Sequence, residues 1–329
     1  MNGDKHHQKS LCYDFIIVGA GISGLIAAQE LQSQKYSVRV IEKSKSVGGR
    51  MATRRDEQWR FDHGAQFVNL NFPELDSIDQ ILTRDGIIQP WIPKGSSWLK
   101  SAELGLNRIP KYFCQNLEIS FLEKVARIET DLDFNHRVIC ESGYFHTAKN
   151  VILTCPLPQS LLLMKVSDQS YPTELNEIQY ASAIVGLFSL HSKSNKILDI
   201  SYLEKFENDI FSISNQTHKK VSPVLAFTIT MSPKWSQKNF EKDDFELQDL
   251  LQEKLKKFMD MQGIEIHIAK TQIKKWKFSH PLQKYRDPFL ILGERLNLFL
   301  IGDAFGGGSI SGAMKSALAL GQHVQSLKK

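Results

Sequence analysis

The chain of 329 residues has only four cysteines, Cys12, Cys114, Cys140 and Cys155, and no two of them form a CxxC pair. That spacing excludes a disulfide scaffold and disulfide-reductase chemistry, and it reads as free thiols kept in a reducing, cytoplasmic setting. Long apolar runs are missing too. The stretch Phe15 to Ala28 is interrupted by three glycines, has no cleavage site, and falls short of the roughly 20 residues of a membrane span. No HxxxH or HxxE pair falls on an expected helix, so no metal site is expected. Dense basic blocks with interleaved aromatics are absent, and the net charge is a mild 41 − 36 = +5, which argues against a nucleic-acid partner. Repeats and low-complexity segments are also lacking. The opening MNGDKHHQKS is polar, and His6 and His7 read as a solvated tail.

What remains is an ordinary globular composition, 42% apolar and 23% charged, which excludes disorder and coiled coil. The length suggests about two domains. Residues 13 to 42 carry the clearest local pattern. Tyr13 to Val18 is a β-branched apolar run suited to a buried parallel strand, Ile22 to about Lys35 has helical spacing, and Ser37 to Ile41 is a second strand. Between them lies Gly19-Ala20-Gly21-Ile22-Ser23-Gly24. Gly19 allows the tight turn, Gly21 lets backbone approach a pyrophosphate, and Gly24 lets helix and strand close. Glu42 ends the second strand, placed to accept ribose hydroxyls. The alternative is an ordinary tight βα turn with a solvated Glu42.

Val47-Gly48-Gly49-Arg50-Met51-Ala52-Thr53-Arg54-Arg55 follows at once. Its glycines bring backbone near a cofactor and Arg50 offers a planar fork to a pyrophosphate, which an NAD-only domain does not need. A flexible basic loop is the alternative. In Phe61-Asp62-His63-Gly64-Ala65-Gln66-Phe67, the Gly and Gln are candidates to meet a flavin ring. Near the end, Leu296 to Asp303 reads as a buried strand delivering Asp303 to a polyol hydroxyl. A helix from Ile310 to about Leu327 then aims its positive end, near Ser311-Gly312-Ala313, at a flavin anion. The alternative for Asp303 is a helix cap or turn acid.

These motifs, GGRMATRR with DHGAQF, then KKWKFSHP and the closing GDAFGGG, together resemble the flavin amine oxidase superfamily, and most of all renalase and its bacterial relatives. The resemblance runs from Tyr13 to about Gln325. It implies an α/β fold: a discontinuous glutathione-reductase-type Rossmann FAD-binding domain (12–85, 105–160 and 290–329) with a smaller mixed-sheet α+β substrate domain (86–104 and 161–289). It implies noncovalent FAD, because no cysteine follows residue 155 where a flavin link would form. The FAD contacts it implies are Gly19, Gly21, Ser23, Gly24, Glu42, Lys43, Gly49, Arg50, Met51, Ala65, Gln66, Phe67, Val125, Gly302, Asp303, Ile310, Ser311, Gly312 and Ala313. Gln66, Trp276 and His280 are its catalytic candidates. Trp276 reads equally as a packing aromatic and His280 as a turn cap, and Lys277 and His280-Pro281 depart from the commonest residues of that motif.

The middle of the chain reads as two short strands in Leu117 to Glu129 and a strand through Val151 to Pro158 stopped by prolines. Strands follow at Ala183 to Leu190 and Val224 to Met231, then an amphipathic helix from Asp244 to Met261 whose lysines are a solvated face, and a strand from Ile264 to Ile273. With a single glycine fingerprint, a nicotinamide nucleotide would dock directly on the flavin as substrate. The expected reaction is oxidation of 2- or 6-dihydro isomers of NAD(P)H with O2 as acceptor. The alternative is oxidation of a small amine, with Tyr285 and Phe289 as candidate walls, and a third reading is a flavoprotein without catalysis.

Overall fold

Phe15 and Ile17 point to one face of a sheet and Ile16 and Val18 to the other, and all four are buried, so both faces must be covered. In the computed structural model, which describes residues 12–133, 135–292 and 297–328, Cys12–Val18 is a central strand. It pairs in parallel with Val38–Glu42 on one side and with Phe145–Leu153 on the other. Glu118–Phe121 extends the sheet in parallel beyond Val38–Glu42. On the far side Leu298–Leu300 adds in parallel to Phe145–Leu153, and Leu290–Leu292 closes that edge antiparallel. The antiparallel ribbon Val125–Thr130 and His136–Cys140 pairs with the start of Phe145–Leu153 and completes eight strands. This is an α/β Rossmann-type sheet whose strands come from both ends of the chain. The tail bearing His6 and His7, and Leu296, lie outside the described residues.

One face is covered by the helices Ile22–Ser33 and Ile310–Ser326 through Leu25, Ala28, Leu31, Met314, Ala317 and Leu320. The other face carries the helix Leu157–Val166 through Leu157, Leu161 and Met164. The strand expected from Val151 to Pro158 is instead Phe145–Leu153: it ends before Pro156, and Leu157 and Pro158 are already helical, Pro158 in the first turn, where a missing N–H costs nothing.

A second sheet of five strands runs Tyr202–Glu204, Ile210–Asn215, Ala226–Met231, Tyr180–His191, His267–Pro281. Every described pairing in it is antiparallel, whereas the mixed pairing expected for this part belongs to the large sheet. Helix Asp244–Met261 covers one face with Leu247, Leu251, Leu255 and Phe258 against Ile184 and Phe188. Against the other face, around Val185, Leu187 and Trp276, packs the hairpin Thr53–Asp56 and Trp59–Asp62 with Trp59 and Phe61.

Two further expected strands have different bounds. The one expected to end at Ile273 runs on to Pro281, because residues 275 to 281 keep pairing with Tyr180–His191. The one expected to reach Asp303 is ordered as a strand only over Leu298–Leu300, and Asp303 instead opens the one-turn helix Asp303–Gly306.

Candidate active site at the junction of the two sheets

The turn after the first strand is held by its own backbone. Gly19 sits at φ +109° and its N–H donates to Ile41 O at 2.8 Å. A Cβ on Gly24 would lie 2.1 Å from Gly19 O, so strand and helix meet only because that side chain is missing. No side chain caps the start of helix Ile22–Ser33, which leaves its first N–H groups available, and a Cβ on Gly21 would meet nothing within 4 Å. Gly48 N–H donates to Ala20 O at 2.9 Å and brings Gly49 alongside, its Cβ position 3.8 Å from Gly21 Cα. The result is an open backbone cradle of free donors at a positive helix end, which fits a pyrophosphate. Glu42, buried at the end of its strand, accepts from Ala20 N–H and Ser44 N–H, both at 2.8 Å, one on each oxygen. Each oxygen keeps a second lone pair, which fits ribose hydroxyls. The donor set therefore matches the dinucleotide end of FAD. Thr154 locks the turn from behind, its hydroxyl 2.9 Å from Val18 O and 3.1 Å from Gly19 O.

Arg50 and Asp303 meet directly. Nη1 donates to Oδ2 at 2.5 Å and Nη2 to Oδ1 at 3.0 Å, and Nη1 also reaches Ser279 O at 3.2 Å. The hydroxyl of Tyr180, on the five-stranded sheet, donates to Asp303 Oδ1 at 3.0 Å and accepts from Leu157 N–H at 3.3 Å. Burial first, then the Asp303 charge, pushes the Tyr180 phenol well above its ordinary pKa, so it stays protonated as a donor. Gly302 N–H donates to Ser316 Oγ, Ser309 caps the last helix by accepting from Gly312 N–H, and Ser311 Oγ donates to Asn69 O. Ile310, Ser311, Gly312 and Ala313 thus form the first turn of that helix beside the Asn69 loop. Lys43 is exposed next to Glu42, and Val125 opens the ribbon strand Val125–Thr130.

The loop Asp62 to Phe67 is pinned to Arg50: Ala65 N–H donates to Arg50 O at 3.0 Å, and a Cβ on Gly64 would lie 2.0 Å from that same oxygen. Met51 is buried beneath it. Gln66 is turned inward, its amide donating to Asp62 O and Gly64 O and its oxygen accepting from Gln216 Nε2 at 2.9 Å. Asp62 is a hub. It accepts from Thr53 Oγ1, from Leu106 N–H and from the ammonium of Lys219 at 2.7 Å, with both partners of that pair fully buried. Lys219 Nζ also stands 5.1 Å over the Trp91 ring, and Trp91, Tyr202 and Phe67 pack edge to face at 5.5 and 5.6 Å.

Trp276 stacks on His63, centroids 5.5 Å apart and 15° from parallel, and its Nε1–H donates to His63 O at 2.7 Å. Burial, with Lys274 and Arg54 adding and Asp62 opposing, lowers the His63 pKa to about 4, and its Nδ1 is buried without a partner. His280 lies within reach of the Arg50 and Asp303 charges, its pKa lowered chiefly by burial. It sits in the strand, so it caps no turn.

Tyr285 and Phe289 are not brought together. Tyr285 packs on Phe305 on one face of the large sheet and Phe289 on His323 on the other, so they cannot wall one amine pocket. Burial pushes the Cys155 thiol up to about 11, which suits packing. His63, Tyr180, Asp62 and Lys219 are the residues that sequence reasoning did not single out. His63 and Asp62 stood inside a quoted motif, whereas nothing local marks Tyr180 or Lys219.

Among the described residues no helix is long and apolar enough to cross a membrane. Residues 17–78 match the NAD(P)-binding Rossmann-like domain and residues 84–324 match the flavin containing amine oxidoreductase family. An L-amino acid dehydrogenase of Synechocystis is 51% identical over 57 residues, 17% of this chain and 12% of that protein. The 4,4'-diapophytoene desaturase of Staphylococcus aureus is 40% identical over 52 residues, 16% of this chain and 10% of that protein. The matched segments thus span about a tenth of those curated relatives. Among solved structures, a protoporphyrinogen oxidase-like protein of Exiguobacterium sp. 255-15 superposes with TM-score 0.72 at 13% identity, over 96% of this chain and 99% of that one. The CLA-producing fatty acid isomerase of P. acnes gives 0.67 at 12% identity, over 94% and 98%. Likeness at that identity speaks for the fold, while the family match covers most of the chain: it belongs to the flavin containing amine oxidoreductase family, FAD-dependent oxidoreductases built on this fold.

Proposed function

We propose that this enzyme takes hydride from misreduced 2- or 6-dihydro isomers of NAD(P)H and returns NAD(P)+, the electrons passing to O2: dihydro isomer + O2 + H+ gives NAD(P)+ + H2O2. Bound noncovalently, FAD supplies the two-electron acceptor and the route to oxygen. In this reading the Gly19, Gly21, Ser23 and Gly24 turn with Gly49 and Arg50 holds the pyrophosphate, Glu42 the adenosine ribose, and Asp303 the ribityl chain. The large sheet with residues 12–85, 105–160 and 290–329 serves as the cofactor half and the five-stranded sheet as the substrate half. Gln66 holds the Gly64-Ala65 backbone in place, and Trp276 with His63 provides a flat wall for a substrate ring.

The observation that carries the choice of substrate is the resident ammonium. The aromatic group Phe67, Trp91 and Tyr202 is of the kind that would hold an amine, and Lys219 already stands over its Trp91 ring, paired to Asp62. Lys219 and Asp62 are fully buried and satisfy each other, so the carboxylate there is not free to hold a cationic amine. A dihydropyridine needs no base, since hydride leaves from an electron-rich ring and alignment does most of the work.

The test is anaerobic stopped-flow reduction of the holoenzyme between pH 6 and 9. Rapid bleaching by 2- or 6-dihydro-NAD(P), nearly flat with pH, is expected. Bleaching by amines that rises with pH, and none by the dihydro isomers, would establish the amine oxidase reading instead.

A further inference from the structure

Along His267–Pro281 alternate side chains face the hairpin: Lys270, Gln272, Lys274 and Trp276. The hairpin is fixed to this row at two points. At one end Asp56 Oδ2 lies 2.7 Å from Lys270 Nζ and accepts from Gln272 Nε2 at 2.5 Å. At the other, Trp276 Nε1–H donates to the carbonyl of His63, whose own N–H reaches back to Ala52 O at 3.4 Å. Arg54 shares a face of the hairpin with Asp56 and lies between the two anchors, and like Lys274 it acts electrostatically on His63.

Both cations are exposed, and among the described residues no carboxylate pairs with either. Lys274 Nζ stands 5.8 Å over the Trp276 ring. Both charges act on the buried His63 ring that stacks on Trp276, so two cations without a carboxylate partner converge beside that stack. The acids at hand are already engaged, Asp56 with Lys270 and Asp62 with Lys219.

We propose that Arg54 and Lys274 form an anion subsite beside the His63 and Trp276 stack, reading the pyrophosphate of a dinucleotide substrate while its ring lies along Trp276. The proposal rests on the dihydronicotinamide reading above and adds to it the part of the substrate that sets specificity. Neutral His63 fits the arrangement, since the same two cations help hold its pKa near 4 and it adds no positive charge of its own.

The test is calorimetric titration of the holoenzyme with ADP-ribose, which carries the pyrophosphate and lacks the nicotinamide. Wild type is expected to bind, more weakly as salt rises. Arg54→Glu and Lys274→Glu are each expected to weaken binding roughly tenfold or more. Arg54→Gln and Lys274→Gln serve if either reversal fails to fold. No binding by wild type, or equal binding by the variants, would overturn the subsite. The hydride reading is judged separately with 1-methyl-dihydronicotinamide isomers, which have no phosphate. If no dihydropyridine bleaches the flavin while ADP-ribose binding remains charge-dependent, the hydride reading falls and the subsite stands.

Discussion

Arg50 and Asp303, 253 residues apart, hold each other by two parallel hydrogen bonds, with Tyr180 donating to the same carboxylate. A bidentate pair of this kind sets the two cofactor motifs at a fixed separation before any ligand arrives. Removing the Asp303 charge loosens Arg50 and deletes one of the acceptors proposed for the ribityl chain. Asp303→Asn is expected to weaken FAD binding by roughly tenfold to a hundredfold, read from the rise of free-flavin fluorescence on dilution. Retention equal to wild type would show that the pair is only structural.

Glu42→Ala removes the acceptor at the end of the second strand and leaves Ala20 N–H and Ser44 N–H without their partner. Loss of FAD affinity together with a lower melting temperature of the apoprotein is expected. Glu42→Gln retains an oxygen and restores one backbone contact, so it should fall between; if the two variants match, the charge alone matters.

Acid should act on this protein through His63. The unfolded ring takes up its proton near 6.5 and the folded ring near 4, so the unfolded chain binds more protons in between. Stability contributed by the neutral buried ring is complete above about pH 6.5 and declines as pH falls toward 4, by about 3 kcal/mol in all. Urea unfolding at pH 7, 6, 5 and 4 measures it, and His63→Asn should show a shallower fall. Parallel curves for the two proteins would remove His63 from the acid response.

Lys219→Met should cost about 3 to 5 kcal/mol, because Asp62 is then a buried charge with no counterion. Asp62→Asn added to Lys219→Met is expected to recover part of that, since the amide oxygen still accepts from Leu106 N–H. Thermal melts of the two proteins decide it: a double variant less stable than the single one would mean that the lysine acts through packing and not charge.

Precipitation with acid should send the yellow colour into the supernatant. The cysteine nearest the cradle is Cys155, with its Sγ 3.7 Å from where a Gly19 Cβ would lie and a thiol pKa raised to about 11, and it is a poor nucleophile. Colour retained in the pellet would mean a covalent link.

The first βαβ unit and the helix Asp244–Met261 were legible because both are written locally, in glycine spacing and in a repeating apolar stripe. Asp303 stood out for the same reason, as the acid of a short motif. Lys219 was not, since the His218-Lys219-Lys220 run looks like a wet turn and only the fold brings Asp62 to meet it. Tyr180 reads as an ordinary strand aromatic until Asp303 arrives from 123 residues away. The face assigned to the Trp276 strand likewise depends on its pairing partner and not on its own alternation, which is blurred by five lysines between Lys270 and Lys284.

The large sheet draws one inner strand from Leu298–Leu300, which seats against Val151–Leu153 across nearly half the chain. Asp303 follows it and pairs with Arg50, and the helix Ile310–Ser326 comes after. During synthesis, then, the nascent chain carries the glycine turn and Glu42 long before the rest of the pocket has been made. A chain stalled before Leu298 exposes the unfinished edge of Phe145–Leu153, which is open to pairing with another chain.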